Sequence, residues 1–535
     1  MKNRFTTLTL LLCAVSSIFA VPAYRGPITH KQSDGTEIVV YQHGDEKFSY
    51  FTNEAGQWVQ ADEKGDYRIV PALTAEEIAL RRAESRYSQT AMRRSVQETG
   101  IDRTLSPRGP VILVNYQDDK FSSTKEQMMD WAMGSNYTYN GATGSIHQYF
   151  QDVSYGEYDL QLDIFGPVTV SKNSAYYGGD YNANYRDTCA DKLVVEACKQ
   201  AIAAGADFSQ YDYDNDGYVD WVVIIYAGKG QADGGASNTI WPHQYDLHNF
   251  GSAFKLNGKT IDHYCVLCEL NGQTGARGGI GTFVHEFSHI MGLPDLYETT
   301  GQGDWKTSGM WDVMDYGPYN NNANTPPAYS AYERWFMGWL SPTLINEPMT
   351  ATLLDINTAR SAAYMTDWGN SISNILRPSP NVFYVFENRQ QEGWDAYIPG
   401  HGMLITKIYY RYNWWKGNSV NNSSSNLGVD IIEADGSAPK YSRVNRDNGY
   451  FGKGTDAFPA GANMFTDVAA YKLTNITEAN KKITFDVNGG GETTILETIN
   501  HIKVQKEGNI KWLRNGMLII QHGNELYDIY GKRIE

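Results

Sequence analysis

The sequence predicts an α+β chain: a small β-rich segment, then a domain mixing strands and helices, then a second β-rich domain. Three observations predict it. Short strand patterns broken by turns (SDG at 33–35, EKGD at 63–66) fill residues 21 to about 75. Apolar strand runs, PVILVNYQ (110–117) and VDWVVIIYAG (219–228), then alternate with an amphipathic helix at 188–204, as in an α/β unit. From about 350 to 488 strand patterns return alone, in VFYVFENR (382–389), GMLITKIYY (402–410) and KKITFDV (481–487), which reads as a β-sandwich-like domain over 346–488.

Composition narrows the function classes. A chain of 535 residues has ample room for buried cores. Its 45 basic against 61 acidic residues, a formal charge of −16, repel phosphate backbones and anionic lipid, so no nucleic-acid partner is expected. A hydrophobic fraction of 41% and an aromatic fraction of 13% exclude a disordered chain.

Taken in order, residues 1–20 read as a secretory signal peptide: Lys2 and Arg4, an apolar run from Leu8 to Phe19, and a small residue at Ala20, with Ala23 as a second cleavage point. No later stretch approaches eighteen apolar residues, so a secreted, extracellular monomer without a transmembrane segment is expected. Residues 21–107 are expected to be a propeptide. They end in a polar helical stretch, TAEEIALRRAESRYSQTAMRRS, and a linker-like ETGIDRTLSPRGP, with Arg93, Arg94, Arg103 and Arg108 as candidate activation sites. Residues 108–345 form the central domain, with a helix at about 326–338. GGG (489–491) marks a linker, and residues 489–535 read as a C-terminal β module. NNSSSN (421–426) reads as a loop.

Four cysteines follow the leader: Cys189, Cys198, Cys265 and Cys268. On one helix Cys189 and Cys198 are roughly 13 Å apart and cannot pair with each other. Cys265 and Cys268 lie in a strand-like run, HYCVLCEL, without a second ligand pair at zinc-ribbon spacing, and read as buried thiols or structural bridges.

The decisive segment is GTFVHEFSHIMGLPDLY, residues 281–297. At about 100° per residue, His285 and His289 lie within roughly 40° of each other on a helix, with Ile280, Phe283, Val284, Phe287, Ile290 and Met291 on the far side. Two imidazoles one turn apart can share a zinc ion, and Glu286 is then placed as general base for a water at the open coordination position. Gly292 suits a positive-φ helix end, after which Asp295 can supply an oxygen ligand. Glu333 is the alternative third ligand, in surroundings (SAYERWFMGWL) that read as a solvated or salt-bridged helix position. Asp295 is preferred because it alone follows from the helix–Gly–turn geometry.

A second cation site is expected in YDYDNDGYVDW (211–221), where Asp212, Asp214 and Asp216 alternate before Gly217 and Asp220. Alternating carboxylates wrap a hard cation and repel one another without it, so structural calcium is expected. Val223 at the twelfth position makes the loop no complete EF-hand. His147, His243 and His263 read as structural histidines. The glycines of GARGGIGTF (275–283) lack a following Lys-Ser/Thr, and no Gly-x-Ser-x-Gly elbow is present, which excludes a P-loop and a serine hydrolase.

HEFSHIMGLPDLY (285–297), WDVMDYG (311–317), IWPHQ (240–244), the acidic loop, ENRQQEGWDAYIPGHGMLI (387–405) and GVDIIEADG (428–436) together resemble the secreted immune inhibitor A-like metallopeptidases of bacteria, over about residues 21–488. The resemblance implies a metzincin-like zincin catalytic domain. It implies a turn in which Met314 floors the zinc site and Tyr316 holds a phenol near the scissile carbonyl. The chain departs from the family at TKIYYRYNWW (406–415), where a His-Val-Asp-like end is common. YDIYGKRIE (527–535) resembles the C-terminal sorting domains of gliding-type secretion, which implies attachment at the cell surface.

The resulting expectation is a zinc endopeptidase acting on protein or peptide substrates, with zinc on His285, His289 and Asp295, Glu286 as base and Tyr316 at the oxyanion. No cysteine lies between residue 21 and Cys189 to cap the metal, which leaves QHGDE (42–46) as the cluster to test for latency. The alternatives are a non-catalytic adhesin or scavenging protein with a structural metal, and a zinc hydrolase of non-peptide amides.

Overall fold

The computed structural model describes residues 20–84, 106–179, 187–345, 347–366, 381–468 and 470–490, and short strands from 493 to 527. The leader before Ala20, the stretch 85–105 with Arg93, Arg94 and Arg103, and the end of YDIYGKRIE lie outside the described residues.

The N-terminal module is a five-stranded antiparallel meander: β1 (Ile28–Lys31), β2 (Glu37–Gly44), β3 (Ser49–Asn53), β4 (Trp58–Ala61) and β5 (Tyr67–Ile69). Helix α1 (Ala75–Glu84) follows, opened by Thr74 and Glu77, whose side chains each accept from the other's backbone N–H at 3.2 and 2.8 Å. Arg82 near its end pairs with Asp45 and donates to Thr299 O at 2.5 Å, which ties the module to the central domain.

The central domain contains β6 (Arg108–Asn115), α2 (Lys125–Met133), α3 (Ile146–Val153), β7 (Gln161–Thr169), α4 (Ser174–Gly178), α5 (Ala190–Ala203), β8 (Val222–Lys229), β9 (His243–Asp246), the small hairpin β10 (Phe254–Leu256) and β11 (Lys259–Ile261), β12 (His263–Leu270), α6 (Gly281–Ile290) and α7 (Ala331–Phe336). Its sheet runs β7–β6–β8–β12–β9, parallel except for the antiparallel edge strand β9. Alternate residues face opposite sides. Val111, Leu113, Val223 and Ile225 pack with α2, α3 and α6, while Ile112, Val114, Val222 and Ile224 pack with α5. A sheet covered on both faces explains strands that read as unbroken apolar runs.

Beyond it, β13 (Thr343–Ile345), β14 (Met349–Leu353), β15 (Ala363–Thr366), β16 (Asn381–Arg389), β17 (Gly402–Tyr410), the short α8 (Tyr412–Lys416), β18 (Val429–Ile431), β19 (Leu473–Ala479), β20 (Lys482–Val487) and β21 (Thr493–Thr494) form two sheets. These run β13–β15–β16–β17–β18 and β19–β20–β14–β21, and they share one apolar cluster that includes Leu353, Phe386, Ile405, Ile483 and Phe485. A last antiparallel sheet contains β22 (Val504–Lys506), β23 (Asn509–Arg514), β24 (Met517–His522) and β25 (Glu525–Tyr527). The whole is a mixed α and β architecture with several sheets and few helices.

Two local expectations need correction. The helix expected at 326–338 spans only Ala331–Phe336: Pro326 and Pro327 cannot donate in a helix, and Ser330 caps it in a capping box with Glu333. Glu333 is therefore not solvated but buried, its carboxylate accepting from Ser330 N at 2.8 Å and Ser330 Oγ at 3.0 Å. All four described cysteines are free thiols, with Cys189 at the N-cap of α5 and Cys198 inside it.

Candidate metal centre

Helix α6 lies between the sheet and the loops that follow it, and its residues from Phe283 to Ile290 are all buried. Phe283 and Phe287 anchor one side, edge-on to Trp131 at 5.7 Å and Trp221 at 4.9 Å. The helix seats closely because Gly281 has no side chain: a Cβ there would lie 2.0 Å from Pro318 O. Gly292 ends it with φ of +100°, the left-handed conformation that turns the chain back.

That turn brings Asp295 to the histidines. His285 Nε2 and His289 Nε2 are 3.1 Å apart, and Asp295 Oδ1 is 3.1 Å from the first and 3.3 Å from the second. His285 Nδ1–H donates to Val313 O and His289 Nδ1–H to Leu293 O, both at 2.8 Å, so in the neutral rings the Nε2 lone pairs converge. Asp295 Oδ1 is buried and accepts no hydrogen bond. Two lone pairs and an anionic oxygen packed this closely repel unless a cation sits among them. Donors at about 2.0 Å on a tetrahedron are roughly 3.3 Å apart, so the set fits zinc with one position open. Burial raises the Asp295 pKa, but His289 and His285 outweigh it and hold the carboxyl below its usual range. Glu333 is not part of this group; burial and then Asp312 push its carboxyl well up.

Glu286 is fully buried beside the group, and burial pushes its carboxyl well above the usual range. Its Oε1 accepts from the backbone N–H of Val21 at 2.8 Å. The segment Ala20–Arg25 thus runs through the site, in contacts that no local pattern in the sequence announces. Tyr297 OH donates to Ala20 O at 2.7 Å, Trp241 Nε1 to Val21 O at 3.0 Å and Tyr319 OH to Pro22 O at 2.5 Å. Ala23 N donates to Gly44 O at 2.8 Å, which links the segment to β2.

Tyr316, expected at the scissile carbonyl, is engaged elsewhere. Its hydroxyl accepts from Arg25 Nε at 3.1 Å and Nη2 at 2.9 Å, and the half-buried guanidinium is boxed in by Tyr316, Tyr441 and His43. Met314 is buried in the turn before it, with Val313 O on His285 and Met314 O accepting from Leu296 N at 2.8 Å. QHGDE is no ordinary surface turn: Gln42, His43, Asp45 and Glu46 are all buried. Burial, then Arg25, holds His43 well below its usual pKa, and burial, then Asp45, pushes Glu46 well up.

The segment 418–422, which runs into the NNSSSN loop, also meets the site. Asn418, with φ of +48°, accepts from Asp295 N at 2.7 Å through Oδ1 and donates to Asp295 Oδ2 through Nδ2. Asn421 donates to Leu296 O at 2.7 Å, and Asn422 Oδ1 accepts from Thr299 N at 2.8 Å. Residues 418–422 thus clamp residues 295–299 from the β-rich half of the chain. Three asparagines in five residues (NSVNN) were the available signal.

In the acidic loop, Asp212, Asp214 and Asp216 offer oxygens within 4.8 Å of one another, while Asp220 stands outside that group. Asp220 Oδ2 accepts from Tyr213 N at 2.9 Å, and burial, with Asp214 and Asp212 adding, pushes its pKa up to about 7. Lys259 Nζ pairs with Asp212 Oδ2 at 2.5 Å and supplies part of the positive charge. The three histidines expected to be structural are tied into the fold: His147 to Leu160 O at 2.9 Å, His243 to Trp241 O at 2.7 Å and His263 to Asp246 at 2.6 Å.

Residues 113–340 match the family profile described as immune inhibitor A peptidase M6, catalytic domain. Over this segment the chain is similar to the M6 peptidases. The M6 segment carries His285, Glu286, His289, Asp295 and Tyr297 but ends before Asn418. The chain is 29% identical over 234 residues to the pre-pro-metalloprotease PrtV of Vibrio cholerae serotype O1, covering 38% of this chain and 25% of that protein. It is 29% identical over 222 residues to immune inhibitor A of Bacillus thuringiensis subsp. alesti, covering 36% of this chain and 31% of that protein. The chain thus spans between a quarter and a third of the length of these relatives.

Because Asn418 bonds both the backbone and the carboxylate of Asp295, Asn418→Ala is expected to weaken zinc binding by about 10- to 100-fold. Competition against a chromogenic chelator measures this, and an unchanged affinity would remove Asn418 from the site.

Proposed function

We propose that the chain is an exported zinc-dependent endopeptidase made as a zymogen, with the M6 domain as its catalytic unit and residues 21–107 as its propeptide. The observation that carries the reading is a peptide group, Ala20–Val21, lying on Glu286 beside the three converging donors. Bound there, zinc supplies an acidified water and polarises the substrate carbonyl. Glu286 Oε1 takes a proton from the attacking water and hands it to the leaving nitrogen, the atom whose place Val21 N now takes at 2.8 Å. The raised pKa of the buried carboxyl suits a group that must both gain and lose a proton. Trp241 and Tyr319 hold the chain running through the cleft by its carbonyl oxygens and so orient it.

The same segment accounts for latency. With Arg25 boxed by tyrosines and Ala23 tied to β2, it fills the place of a substrate. Cleavage after Ala20 during export leaves the α-amino group of Val21 against Glu286, a charged pair that blocks the base. Among the described residues no helix is long and apolar enough to cross a membrane. The leader-like residues 1–20 favour export, and the C-terminal strands favour release or surface display through a sorting signal.

Casein digestion by the processed chain, with and without phenanthroline, tests the reading. Metal-dependent loss of casein supports it. Metal-dependent activity on small amides alone would favour a non-peptide hydrolase, and binding without turnover an adhesin or scavenger.

The acidic loop is proposed as a structural calcium site on Asp212, Asp214 and Asp216, with Asp220, expected among the ligands, outside the group. Saturating calcium is expected to raise the melting temperature by about 5 °C. The combined Asp214→Ala and Asp216→Ala variant should show no such rise in a calorimetric scan, and an equal rise in both proteins would move the ion elsewhere.

A further inference from the structure

We propose that Tyr297 is the phenol that donates to the oxygen of the scissile peptide bond, a role the sequence pattern assigned to Tyr316. The inference rests on the endopeptidase reading and adds a catalytic residue to it. One peptide group, Ala20–Val21, meets two side chains of the site: its nitrogen faces Glu286 Oε1 at 2.8 Å and its oxygen accepts from Tyr297 OH at 2.7 Å. Those are the two atoms whose charge changes in amide hydrolysis. As water adds to the carbonyl carbon, the C=O π pair moves to oxygen. As the C–N bond breaks, its pair moves to nitrogen, which takes the proton held by Glu286, and an acid and an amine result. A donor already on the oxygen and an acid already on the nitrogen serve both halves. Tyr297 needs only to hold its hydrogen bond as charge builds.

The phenol is held in place before any reaction. Its ring is buried in a cluster with Tyr316 and Tyr450, at 6.4 Å from the Tyr316 ring. The backbone beside it is fixed on both sides of Leu296, whose N donates to Met314 O at 2.8 Å and whose O accepts from Asn421 at 2.7 Å. A donor fixed in this way costs little reorganisation in the transition state. Tyr316 OH instead accepts two N–H bonds from Arg25, five residues along the segment from Ala20. It touches the occupant of the cleft at a side chain and not at the peptide group beside Glu286.

Tyr297→Phe and Tyr316→Phe, made in the full chain and processed, separate the two phenols. Tyr297→Phe should keep its zinc and lower kcat on a model peptide by about 10²- to 10³-fold with KM within about threefold. Its affinity for a phosphinic peptide, whose tetrahedral oxygens stand where the charged oxygen forms, should fall by a similar factor in calorimetry. Tyr316→Phe should lose less than tenfold in both. If Tyr297→Phe folds poorly, its ratio of phosphinic to plain peptide affinity still separates the two phenols, being insensitive to the folded fraction. A wild-type chain that cleaves peptides while Tyr297→Phe stays within threefold of it, or a larger loss in Tyr316→Phe, overturns the assignment alone. A processed wild type that cleaves no peptide overturns the endopeptidase reading and this inference together, before any variant is made.

Discussion

Glu286→Gln is expected to bind zinc as the wild type does while losing about 10³-fold or more in kcat on a peptide substrate. The two effects separate because Glu286 is not among the three converging donors, yet its Oε1 reaches the peptide nitrogen at 2.8 Å. A glutamine keeps the shape and the hydrogen bonding but takes up no proton at neutral pH. A positioned general base contributes about 10²- to 10⁴-fold, and here the same carboxyl serves both proton transfers. His289→Ala should lose metal and activity together, since it removes one of the three buried converging donors. Metal analysis beside single-turnover assays reads both. A Glu286→Gln enzyme as active as wild type would reject the mechanism, and one that had lost its zinc would make Glu286 a ligand instead.

The second large effect is expected from the N-terminal module. The intact chain should be nearly inactive, and cutting within 85–105 should raise activity by about 10²- to 10⁴-fold as the N-terminal module dissociates. A tethered occupant acts at a millimolar or higher effective concentration, far above that of a substrate in solution, and loses this advantage once the tether is cut. The contacts are extensive: hydrogen bonds to Glu286, Trp241 and Tyr319, a half-buried Arg25 bonded to Tyr316, and Arg82 pairing with Asp45 and bonding Thr299. Of the candidate cut sites, Arg108 is the least suited, because it opens β6 and its guanidinium bonds Asp163 at 2.7 and 2.9 Å. Limited trypsin treatment followed by N-terminal sequencing and a peptide assay tests this. Full activity in the unprocessed chain would show that the segment in the cleft is no inhibitor.

Much of the site was legible because its logic is local. A helix repeats every 3.6 residues, so His285 and His289 had to share a face. The Gly292 turn kept Asp295 within reach of both. The strands of the central sheet were readable for a similar reason, since covering both faces leaves an unbroken apolar run. Where local rules compete, the pattern misleads. The stretch around 326–338 is apolar enough for a helix, but Pro326 and Pro327 and the Ser330 cap cut it to six residues. Glu333 looks solvated by composition and is buried as a cap.

By itself the sequence determined which candidate donors come together and the carboxylate placed between them, because those depend on backbone geometry over eleven consecutive residues. Only the tertiary structure decided which side chains complete the centre. Asn418 meets Asp295 across 123 positions of chain, Tyr297 meets Ala20 across 277 and Val21 meets Glu286 across 265. Such contacts follow from how separate layers pack against one another, and no periodicity within a segment encodes where a distant one will come to rest.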